Sequence, residues 1–108
     1  MTMGHEHVHG ATGPAAVMAD VGGDVGAAVV YTPEALRGQE LEIRLEGRPW
    51  DGTHTAVRER TLGAASVWAG FFGALPAGRY QVRLRGDASC AIDFAVVGAT
   101  VTETSYSL

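Results

Sequence analysis

Three of the chain's four histidines alternate with Glu6 and Val8 in the run Gly4-His5-Glu6-His7-Val8-His9-Gly10. Residues two apart in an extended backbone project from the same face, so this spacing predicts a row of three imidazoles. Imidazole is the commonest metal-ligating side chain and titrates near neutrality, which points to metal binding, proton handling or both. Two histidines one residue apart supply two donors from one short strand. His54, which follows Trp50-Asp51-Gly52-Thr53, is the expected further ligand from the body of the protein. Water, Glu6, Asp51 or a group from another subunit could complete the set. Imidazoles without thiolate suit Zn, Cu, Ni or Fe alike, so the expected cofactor is a transition metal ion of open identity.

Other chemistries are poorly supplied. No Gly-x-Ser-x-Gly nucleophile elbow, phosphate-binding glycine loop or His-Glu-x-x-His zinc motif occurs. Asp20-Val21-Gly22-Gly23-Asp24 has too few oxygen donors for a calcium loop and reads as a turn. Cys90 is in phase with Ile92, Phe94 and Val96, which predicts a packed core thiol. As the only cysteine, it excludes an intrachain disulfide and fits a reducing, cytoplasmic setting. Eight basic residues in a chain of net charge -4 leave no electrostatic footprint for nucleic acid. The first twenty residues hold no Lys or Arg and no continuous apolar stretch, so a secretory signal is not expected. No apolar run approaches the ~20 residues that span a bilayer, and a soluble protein without a membrane partner is expected.

The elements that must position these histidines are short and extended. With 108 residues, 46% of them hydrophobic, the chain can build one modest core. Residues 1–13 read as a histidine-rich segment that docks on the body, and residues 14–108 as a single domain. Valine-rich 25–31 predicts a buried strand. Alternating 41–46 and 79–85 predict strands with one buried face. Short strands are also expected at 15–19, 90–97 and 100–106. Residues 54–62 read as one polar edge strand, whose outward face could receive the histidine segment. Aromatic 66–72 is expected to be the innermost strand. Thr32 as N-cap and Pro33 at the first helical position predict a helical turn, stopped by Gly38. About seven strands punctuated by Gly and Pro define an all-β class, an antiparallel β-sandwich of immunoglobulin-like or prealbumin-like arrangement.

The blocks Asp20-Val-Gly-Gly-Asp-Val-Gly-Ala-Ala-Val-Val-Tyr-Thr-Pro33, His54-Thr-Ala-Val-Arg-Glu-Arg60 and Leu75-Pro-Ala-Gly-Arg-Tyr80 resemble a group of small actinobacterial-type proteins. Those proteins begin with a similar His-x-His-x-His cluster and are sometimes labelled phospholipase. The resemblance covers most of the chain and implies a shared unit that pairs the histidine cluster with His54.

The leading expectation is a metal-binding protein acting in storage, delivery or sensing through His5, His7, His9 and His54. A metal-dependent hydrolase or lyase using a water bound to an ion held by three histidines is an alternative. A further one is a non-catalytic assembly module, for which Trp50, Trp68, Phe71 and Phe72 could furnish an interface and which leaves room for a homo-oligomer.

Overall fold

The computed structural model describes residues 7–10, 21–87 and 90–106, with the backbone alone at 7–10 and 62. The expected strand at 15–19 lies outside them. Nine strands occur among the described residues: β1 (His7–Gly10), β2 (Val25–Tyr31), β3 (Glu40–Leu45), β4 (His54–Ala56), β5 (Arg58–Leu62), β6 (Ala65–Pro76), β7 (Gly78–Leu84), β8 (Ala91–Val96) and β9 (Thr100–Ser105). They form a five-stranded sheet of order β1-β9-β2-β6-β5 and a four-stranded sheet of order β4-β3-β7-β8. The β2–β9 pair is parallel and the other strand pairs are antiparallel. The fold is thus the expected all-β sandwich. An immunoglobulin sandwich keeps its first two strands in one sheet. Here β2 and β3, the first two strands among residues 21–106, lie in different sheets.

Alternation along the strands builds the core. Leu41 and Ile43 of β3, Tyr80 and Val82 of β7, and Ile92, Phe94 and Val96 of β8 face Ala28, Val30, Phe72 and Tyr106 from the other sheet. Burying each large member fully contributes about 1.5–3 kcal/mol. The inner face also carries threonine. Thr102 is fully buried and its hydroxyl donates to the Ala95 carbonyl at 3.0 Å, a bond that links β9 to β8 across the sandwich. Gly26 begins the buried part of β2 where the chain passes under the β8–β9 turn, and a Cβ there would lie 2.5 Å from the Val97 carbonyl oxygen.

Four expectations about elements are corrected. Residues 54–62 are two strands in two sheets: β4 pairs with β3, β5 pairs with β6, and the chain crosses between them at Val57. Val57 is 1% exposed, and its N–H and C=O are bonded by Gln39 and Gly38 of the preceding loop. The aromatic strand β6 is not innermost; β2 holds the centre of the five-stranded sheet, because its small and β-branched residues pack on both faces. The helical turn is a 3-10 turn, Glu34–Leu36, whose cap position is Pro33 rather than Thr32, and no side chain caps it. Cys90 precedes β8 and is half-buried rather than packed in the core.

Candidate functional site

β1 extends the five-stranded sheet at its outer edge, where it pairs with β9. The register sets His7 opposite Glu103 and His9 opposite Val101. Directly opposite residues in an antiparallel pair belong to the same face of the sheet. Val101 is on the outer face, where it packs with Ala27, Val29 and Ala69, and Tyr31 and Phe71 border that cluster. Glu103 follows it two residues on, level with Val29 of β2 in the parallel pairing. Here the sheet has a second apolar layer, with a carboxylate and a phenol beside it. Tyr31 donates its hydroxyl to Glu103. Burial first, then the charge of Glu103 and that hydrogen bond, push the Tyr31 phenol up to about 12.

His5 lies outside the described residues, as does Glu6. His54 opens β4, the edge of the other sheet. β4 packs over β6, whereas β8 packs over β9, so β4 and β1 occupy opposite margins of the sandwich. The histidine strand is therefore paired with β9 and not with the strand that begins at His54.

The surroundings of His54 are those of an ion-pair cluster. Its Nδ1 lies 2.7 Å from the Gly52 carbonyl oxygen, which can only accept, so the proton sits on Nδ1. Nε2 lies 3.6 Å from Glu40, and the Arg85 guanidinium lies 3.3 Å from each ring nitrogen and 2.8 Å from Glu40. Among the described side chains, no three His, Cys, Asp or Glu converge on a common point.

The outer face of the four-stranded sheet holds a second polar array. Arg44 and Arg83 stack on the Trp50 ring with guanidinium carbons 4.5 and 4.0 Å from its centroid. Arg44 also donates to Gln81, which donates to Asp93. At the end of the sandwich a pocket of ≈ 190 Å³ is lined by Ile43, Leu45, Asp51, Thr53, Leu75 and Tyr80, among others. Its polar groups are engaged locally. The Tyr80 hydroxyl donates to the Pro76 carbonyl at 2.6 Å, and Asp51 accepts from both the hydroxyl and the N–H of Thr53, which hold its carboxyl below the usual range. No nucleophile and base face one another there.

Glu103, which the fold sets opposite His7 of β1, and Tyr31, which donates to it, were not singled out from the sequence. The available signal was phase: Glu103 is the one acid in the alternating 100–106 run and shares its phase with apolar Val101.

Fold and edge strand together define an all-β sandwich with a histidine-bearing margin. Comparison with protein-family models, with curated proteins and with solved structures finds no match to this chain. No helix among the described residues is long and apolar enough to cross a membrane.

Proposed function

We propose that this protein binds a transition metal ion through His5, His7 and His9 of its N-terminal segment, and serves metal storage, delivery or sensing in the cytoplasm. One observation supports this above the rest: part of the alternating histidine run is a strand, with His7 and His9 two residues apart on the margin of a sheet. Among the described residues no strand lies on the other side of β1, and an open strand edge gives an ion access. The proposal does not extend to His54, whose ring is held among Gly52, Glu40 and Arg85 at the other margin. Calorimetry and metal analysis on tag-free protein test it. One equivalent of Zn²⁺, Cu²⁺, Ni²⁺ or Fe²⁺ bound, with loss of at least tenfold in affinity in the His7→Ala, His9→Ala double variant, is the expected result. Binding unchanged in that variant would overturn it.

A further inference from the structure

We infer that Glu103 is a ligand of the same ion, so that histidines of one strand and a carboxylate of the next share it. This rests on the metal-binding reading above and deepens it. The pairing of β1 with β9 sets His7 opposite Glu103, with His9 two residues along β1. Opposite residues in an antiparallel ladder have Cβ atoms about 4.5–5.5 Å apart, the separation at which two side chains reach one cation. Glu103 does not point idly from that face: it accepts the Tyr31 hydroxyl. A ligating carboxylate is commonly oriented by such an outer hydrogen bond, which restricts its rotamers and directs the remaining lone pairs. Tyr31 is thus a positioning residue and Glu103 the donor.

The donor set also narrows the ion. Neutral imidazoles bring no charge, and a carboxylate neutralises half that of a dication. Nitrogen and oxygen donors without sulfur favour Zn²⁺, Ni²⁺ or Fe²⁺ over Cu⁺. A divalent ion is the ligand this site takes.

The test uses the whole tag-free chain and Zn²⁺ alone. Glu103→Gln keeps the acceptor that Tyr31 needs while removing the charge, so the fold is retained. Zn²⁺ affinity is expected to fall at least tenfold in this variant and to stay within twofold in Glu59→Gln, a change on the opposite margin at β5. Carbon-13 spectra provide a second readout on the wild-type chain: the side-chain carboxyl resonance of Glu103 moves on Zn²⁺ addition and that of Glu59 does not. Affinity within twofold of wild type in Glu103→Gln, or a stationary Glu103 resonance, would overturn the inference while loss of binding in the His7→Ala, His9→Ala variant keeps the broader reading. Full binding in that double variant removes both.

Discussion

Glu42 stands directly opposite Arg83 in the β3–β7 ladder, and Arg83 brings Nε and Nη2 each to 2.9 Å from the same carboxylate oxygen. The Glu42 side chain is 9% exposed and that of Arg83 17%, so the pair is largely withdrawn from water on what is nominally the solvent face. Trp50 lies over the Arg83 guanidinium and covers one face of it.

Removing the arginine therefore strands a buried carboxylate. Arg83→Met is expected to destabilise the fold by about 2–3 kcal/mol, somewhat less than the ~3–5 kcal/mol of a fully buried pair because the guanidinium retains some solvent. The double variant Arg83→Met, Glu42→Leu should recover much of that loss. Urea denaturation of the two singles and the double measures it, and strict additivity would contradict the pairing.

Val57 should behave as a core residue despite its polar neighbours in sequence. Val57→Ala removes two buried methyl groups where the chain changes sheets, at a cost of about 1.5–3 kcal/mol. Exposed Arg58→Ala should change stability by less than ~0.5 kcal/mol. Equal effects from the two would mean that residues 54–62 form one continuous strand after all.

Gly26 and Gly22 provide a matched contrast four residues apart. A Cβ at Gly26 meets the Val97 carbonyl oxygen and a side-chain carbon of Val96 at 2.5 and 2.7 Å, whereas nothing lies within 4 Å of one at Gly22. Gly26→Ala is expected to cost about 1–3 kcal/mol through overpacking, and Gly22→Ala to stay within about 0.5 kcal/mol of wild type. Thermal melts of both variants suffice to check the contrast.

Alkaline pH should weaken the fold through Tyr31. Its phenol is raised to about 12 in the folded protein, and an unfolded tyrosine titrates near 10. The folded chain keeps a proton that the unfolded chain releases in this window, so the contribution is complete below about pH 10 and is lost as pH rises through 12. Tyr31→Phe is expected to flatten the fall in denaturation midpoint between about pH 10 and 12. Burial also raises Tyr80 and Tyr106, so part of the slope persists. Superimposable pH profiles for variant and wild type would count against a raised Tyr31 phenol.

Strands β2, β3, β7, β8 and β9 were legible within a residue or two because each buries one face or both, and burial writes itself into sequence as alternation or as an apolar run. The break at Val57 left no such mark. Its cause is tertiary: the backbone of Val57 bonds to Gln39 and Gly38, some eighteen residues earlier, and a polar alternating run carries no sign of which sheet it joins. The candidate site was half legible. Histidine spacing identified one strand, but its neighbour is set by sheet order, and neither Glu103 nor Tyr31 is near it in sequence. His54 was grouped with the cluster by residue type, and the topology sends it to the other margin.

The pairing of β1 with β9 joins positions roughly ninety residues apart, such as His9 and Val101. During synthesis the histidine segment emerges long before β9 and must wait for most of the intervening chain before its strand partner exists. An ion seated across β1 and β9, as proposed, would then act as a clasp on the assembled sheet, holding tightly only those chains whose β9 has been laid down. Metal retention in a truncation series would report on completion of folding as directly as it reports on the ligands themselves.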